Sequence, residues 1–218
     1  MINFAQPSDS QLRRVKAAVF ALALLPVARL VVGAMAGALG ANPVEFITRS
    51  TGTWTLVFLC LTLSITPLRK QLGWNWLLRL RRTLGLFAFF YALLHFTTYI
   101  WLDVFFDFAA IAKDILKRPF ITVGFTAFVL LIPLTVTSTN AMVRRLGGRR
   151  WLLLHRLVYG IAVLGVVHYW WLVKRDITQP LIYACVVALL LGSRFTSRAR
   201  NTVPPPASRA TNPEPQIS

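Results

Sequence analysis

Six runs of mostly apolar residues, at 17–36, 52–67, 83–102, 120–137, 151–173 and 180–193, leave this chain few folds to adopt. About 20 apolar residues of helix cross roughly 30 Å of hydrocarbon. In lipid every backbone N–H and C=O must be paired within the protein, so runs of this length read as helices rather than open strands. The second and sixth runs are short. Only 14% of the residues are charged, against about a quarter in a soluble domain. The fold class predicted is an all-α integral membrane protein, a six-helix transmembrane bundle.

The charges that remain set a direction. The chain carries 24 Lys and Arg against 7 Asp and Glu, a formal net charge of +17. Arg13, Arg14 and Lys16 precede the first span. Arg69, Lys70, Arg79, Arg81 and Arg82 fill the 2–3 loop, and Arg144, Arg145, Arg149 and Arg150 the 4–5 loop. Arg194, Arg198, Arg200 and Arg209 follow the last span. These sixteen face only six in the opposite loops: Arg49, Lys113, Lys117, Arg118, Lys174 and Arg175. Such a bias predicts both termini in the cytoplasm. Tryptophans 54, 74, 76, 101, 151, 170 and 171 fall near the proposed boundaries, as interfacial aromatics do. Because the basic residues lie in short clusters between spans, they set topology and meet lipid; a nucleic-acid partner is not expected.

The organisation expected is a cytoplasmic N-terminus (1–16), a six-span domain (17–200) and a Pro-rich disordered cytoplasmic tail (201–218). The first span is too long for a cleaved signal. No internal repeat is evident, and no GxGxxG loop occurs to hold a nicotinamide cofactor. Cys60 and Cys185 sit in apolar runs without CxxC spacing and read as packing residues.

All three histidines lie at membrane depth, His95 in span three and His155 and His168 in span five. A lone membrane histidine is as readily a helix-bridging hydrogen bonder as a ligand; three of three are harder to dismiss, since ionisable groups in lipid are costly. Spans three and five run in the same direction. At 1.5 Å per residue His95 lies about 4 Å beyond the midplane and His168 about 9 Å beyond it, with His155 about 10 Å short. Two parallel helices offering neutral imidazoles at one level suit opposite faces of a heme iron. His155 and His168 are roughly 20 Å apart on a continuous helix, which excludes a three-histidine metal site.

Tandem histidines 13 or 14 residues apart on the fifth span, facing the third, resemble the ferric reductase-like transmembrane family, whose members use four histidines for two stacked hemes. Here Arg82 and Arg81 stand 13 and 14 residues before His95, so the inner position lacks one histidine. ITPLRK (65–70), RRTLGLFAFFYALLH (81–95), RRLGGRRWLLLHRLVY (144–159) and HYWW (168–171) are similar to motifs of one branch, the MsrQ (YedZ) family of heme-binding membrane subunits. That family's three histidines match His95, His155 and His168. The resemblance implies heme b, an associated FMN and electrons from the quinone pool. It also implies a molybdenum-containing periplasmic methionine-sulfoxide reductase partner (MsrP) and a bacterial inner-membrane location.

The site expected is therefore His95 and His168 as the axial pair of a heme b between spans three and five. His155 is assigned to a second heme, a flavin or a quinone. Arg82 and Arg156 are candidate propionate or phosphate contacts. The chain itself reads as a non-catalytic electron-transfer subunit. Two alternatives stay open: a ferric reductase-like protein with another acceptor, and a histidine-dependent proton-coupled transporter. Transporters of the latter kind usually bury Asp or Glu partners, and these spans hold none away from their ends. Arg29, inside span one, is expected to face the bundle interior or to snorkel. The aromatic third span (Phe87, Phe89, Phe90, Tyr91, Phe96, Tyr99) is read as packing.

Overall fold

The computed structural model describes residues 7–173 and 176–200, with side chains through Arg194. The proposed tail at 201–218, and Lys174, Arg175 and Arg209 of the charge count, lie outside the described residues. Nine α-helices are found among those described: α1 (Asp9–Met35), α2 (Pro43–Leu72), α3 (Leu78–Thr98), α4 (Phe108–Lys117), α5 (Pro119–Val136), α6 (Asn140–Leu146), α7 (Gly148–His155), α8 (Leu157–Leu172) and α9 (Thr178–Arg200). Five segments are long and apolar enough to cross a membrane: Asp9–Met35, Pro43–Leu72, Asn75–Asp103, Pro119–Val136 and Gly148–Leu172. The sixth expected span is the shorter apolar stretch Thr178–Arg194 of α9. The helical bundle is as expected, and the helices outrun the apolar runs that announced them.

Local chemistry explains the ends. Ser8 and Gln11 form a capping box that starts α1 eight residues before its apolar run. Asn42 accepts from Glu45 N–H, and Pro43 opens α2, where a missing N–H costs nothing. Gly73 ends α2 at a φ of 72°, a left-handed cap that favours glycine. Asp107 accepts from Ala109 and Ala110 N–H to start α4. Outward-facing Phe20, Leu22, Leu25, Val32 and Met35 on α1 are exposed, as a lipid-facing helix requires.

The core is built from α2, α3, α5 and α8, with Leu63, Ala88, Tyr91 and Ala162 fully buried. Three segments assigned to the cytoplasmic side meet at one end of the bundle. Arg79 reaches Asp9 at 3.3 Å, and Arg82 donates to Asn140 Oδ1 at 3.3 Å. At the other end Tyr99 donates to Asp114 Oδ2 at 3.0 Å, tying α4 to the end of span three.

Three features depart from the sequence reading. Span three ends in a π turn (Tyr99–Asp103), followed by left-handed Phe105 and Phe106 (φ 49° and 60°). The Phe106 N–H bonds Ile100 C=O at 2.9 Å and holds that turn closed. The loop beyond it carries α4, which shows apolar Ile111 buried and Leu116 exposed. Span five (Gly148–Leu172) is interrupted by one tighter turn at Arg156, where Arg156 N–H bonds Leu153 C=O and Tyr159 N–H bonds Arg156 C=O while the backbone stays right-handed helical (φ −69°, ψ −21°). Arg29 points outward and is exposed, so the interior alternative for it is wrong.

Candidate functional site

His95 is carried by α3 and His168 by α8. Their rings approach to 6.1 Å between centroids, at 77° to each other. They line one cavity of about 360 Å³ together with Thr48, Gly52, Phe96, Gly124 and Phe128, a size within the usual cofactor range. Each ring is fixed by its Nδ1. His95 Nδ1 lies 2.9 Å from Thr48 C=O on α2, and His168 Nδ1 lies 2.7 Å from Phe120 C=O on α5. A carbonyl only accepts, so each Nδ1 carries the proton and each neutral ring presents its Nε2 lone pair.

That arrangement fits a metal ion between the two rings. With about 2 Å from iron to nitrogen and about 1.1 Å from nitrogen to ring centroid, trans imidazoles have centroids about 6.2 Å apart. The Nδ1–H to carbonyl bond is the outer support that ligating histidines almost always have. No cluster of three or more His, Cys, Asp or Glu side chains occurs among the described residues. His155 lines a different cavity from His95 and His168.

His155 stands elsewhere and is held differently. It ends α7 and stacks on Trp151 at 3.9 Å between centroids. Its Nε2 lies 3.1 Å from Thr137 Oγ1. The Thr137 hydroxyl gives its proton to Pro133 C=O at 2.6 Å, so it accepts from His155 Nε2–H. His155 therefore offers Nδ1, the opposite of the other two. It lines a second cavity of about 250 Å³ with Arg81, Arg82, Asn140 and Trp151. Leu59 and Leu131 line both cavities and separate them.

The structure thus brings His95 to His168, and His155 to Arg82. Arg156 is exposed and is not among the residues lining either cavity. Several participants escape a reading of residue types. The carbonyl acceptors Thr48 and Phe120 carry no side-chain signal. Thr137 and Trp151 look like ordinary boundary residues. Arg194, read only as a topology charge, reaches inward to donate to Leu63 C=O at 2.7 Å and to the Tyr159 hydroxyl. Tyr91 is fully buried, and its hydroxyl donates to Ala23 C=O at 2.7 Å and accepts from Val27 N–H at 3.2 Å. Its polar handle demanded a partner that packing alone does not supply.

Residues 51–166 match the family described as ferric reductase like transmembrane component, a stretch that includes His95 and His155 and stops two residues short of His168. Among similar proteins is a protein-methionine-sulfoxide reductase heme-binding subunit MsrQ of Herminiimonas arsenicoxydans. It is 63% identical over 193 residues, 88% of each chain. The MsrQ of Azospira oryzae is 57% identical over 209 residues, 95% of this chain and 89% of the relative. That of Ralstonia nicotianae is 62% identical over 185 residues, 84% and 85% of the two chains. With its paired histidines on parallel spans, the chain belongs to the ferric reductase-like transmembrane family and, within it, to the MsrQ proteins.

Proposed function

We propose that this chain is a heme-carrying electron-transfer subunit of the bacterial inner membrane, with both termini in the cytoplasm. It serves a periplasmic methionine-sulfoxide reductase. His95 and His168 hold one low-spin heme b. The observation that carries this reading is the 6.1 Å ring pair, each Nδ1 held by a carbonyl and both rings lining one cavity. The relatives' own description as heme-binding subunits of that reductase points to the same cofactor and the same partner system. When bound, the heme supplies a one-electron centre near the outer half of the membrane. His95 and His168 would hold its iron through Nε2, with each Nδ1 satisfied by a carbonyl, and the apolar wall of Phe96, Phe128 and Leu131 would exclude water.

The inner cavity is the entry side. Arg81 and Arg82 supply positive charge there for a phosphate, propionate or quinone oxygen. Quinol, or FMN fed by it, is the donor; as no nucleotide-binding loop is present in the sequence, NAD(P)H alone is not. The molybdenum-containing partner MsrP is the acceptor. The six-span domain, 17–200, is the electron-carrying unit in this reading.

The test is a visible and EPR spectrum of the purified protein and of His95→Ala and His168→Ala. Either replacement is expected to remove the low-spin heme or convert it to high spin. A low-spin spectrum unchanged in both variants sinks the pairing.

A further inference from the structure

We infer that Gly52 and Gly124 are positioning residues for the two histidines, each leaving open the approach by which the imidazole reaches its carbonyl. The inference rests on His95 and His168 holding the heme.

The two halves of the site repeat one device on different helices. On α2, the carbonyl that receives His95 is Thr48, and the residue four positions on is Gly52. On α5, the carbonyl that receives His168 is Phe120, and four positions on is Gly124. The histidines follow their acceptors by 47 and 48 residues. In a helix the carbonyl of residue i already accepts from the N–H of residue i+4. Its second lone pair lies outside that bond, shared at Thr48 with the Thr51 hydroxyl at 3.0 Å, and a ring reaching it from the side lies over residue i+4. A Cβ at that position stands in the way.

The clearances show how tight each seat is. A Cβ on Gly52 would lie 3.1 Å from His95 Cε1 and 3.2 Å from its Nδ1. A Cβ on Gly124 would lie 2.6 Å from His168 Nδ1 and 2.8 Å from its Cε1. The first contact asks the ring to give by a few tenths of an ångström. The second does not fit unless the ring moves. Gly160, on the same helix as His168, has nothing within 4 Å of its ideal Cβ.

Alanine is a better helix former than glycine, so a view from helix propensity alone expects Gly→Ala here to be harmless or stabilising. The positioning view expects the reverse at the metal. With Nδ1–H bonded to a carbonyl, the imidazole is a stronger donor and favours the oxidised iron. Gly52→Ala is expected to keep both ligands and raise the heme midpoint potential, with altered low-spin g values. Gly124→Ala is expected to dislodge His168 and produce a high-spin signal at the expense of the low-spin one. Gly160→Ala is expected to match the parent in both.

The experiment is EPR and potentiometric titration of the full chain, purified with its heme, for the parent, the three glycine variants, and His95→Ala and His168→Ala. If the histidine variants keep a low-spin heme, the ligand assignment fails and the glycine inference falls with it. If they lose it while Gly52→Ala and Gly124→Ala keep the parent's g values and potential, the positioning inference alone is overturned. If Gly124→Ala is not recovered folded, Gly52→Ala decides: a shifted potential supports the inference and an unchanged one overturns it.

Discussion

Tyr91 offers a test that separates the scaffold from the site. Its hydroxyl stands between Ala23 C=O and Val27 N–H, beside Pro26, in the middle of α1. Those two backbone groups are four residues apart, and an uninterrupted helix would pair them with each other. Tyr91→Phe removes two hydrogen bonds, each worth about 0.5–1.5 kcal/mol net. The orphaned carbonyl and amide can then close on each other and recover one of them. The expected cost is about 1 kcal/mol, in keeping with the modest value of polar contacts between membrane helices. Tyr91→Ala instead empties a fully buried position stacked on Phe58 at 5.3 Å and is expected to cost about 3–5 kcal/mol. Reversible unfolding in mixed micelles, followed by far-ultraviolet circular dichroism, reads both. A Tyr91→Phe cost of 3 kcal/mol or more would show that Ala23 and Val27 stay unpaired and refute the re-closing argument. Because Tyr91 is one turn before His95 but bonds α1, its phenylalanine variant should retain the parent heme spectrum. A changed spectrum would mean that the hydroxyl acts on the site as well.

Three further outcomes follow from other parts of the molecule. His155→Ala is expected to keep the outer low-spin heme but slow its reduction by quinol, since His155 lines only the inner cavity; complete heme loss from an inserted, folded variant contradicts that division. Arg194→Ala, read by the same micelle unfolding, should destabilise the chain by about 2 kcal/mol through lost charged hydrogen bonds to Leu63 C=O and the Tyr159 hydroxyl. Reporter tags on the two termini should both score cytoplasmic, and opposite compartments would break the six-span assignment.

The spans were legible because lipid imposes one demand, paired backbone within apolar helices, that composition reveals directly. Counting residues along two parallel helices put His95 and His168 at similar depths, and the two rings stand 6.1 Å apart. What the count missed is of a different kind. Arg156 interrupts span five with no Pro or Gly at that position to announce a tighter turn. The Tyr99–Asp103 π turn and left-handed Phe105 and Phe106 have no glycine or asparagine signal. Tyr91 was read as one aromatic among several, although a buried phenol needs a partner. The carbonyls of Thr48 and Phe120 belong to the backbone, which every residue shares, so residue identity could not mark them.

The tighter turn at Arg156 bears on why the three histidines differ. His168, on α8, and His95, on α3, each reach sideways to a neighbouring helix's carbonyl, which fixes Nδ1 as the donor and leaves Nε2 for a metal. His155 is the last residue of α7, just before the helix turns. There its ring lies flat on Trp151, whose indole N–H donates to Thr137 C=O at 2.9 Å. The same Thr137 takes His155 Nε2–H through its hydroxyl. A ring held by stacking and by Nε2 presents Nδ1, the nitrogen nearer its own backbone and the more hindered one for an iron inside a macrocycle. For His155 to ligate as the others do, Thr137 must first release Nε2. Thr137→Val, which keeps the shape and removes the acceptor, is the substitution that separates the two uses of the ring. If His155 serves by hydrogen bonding, the variant slows reduction of the outer heme as His155→Ala does. If instead His155 ligates an inner heme through Nε2, freeing that nitrogen should leave the rate intact or strengthen the inner heme signal.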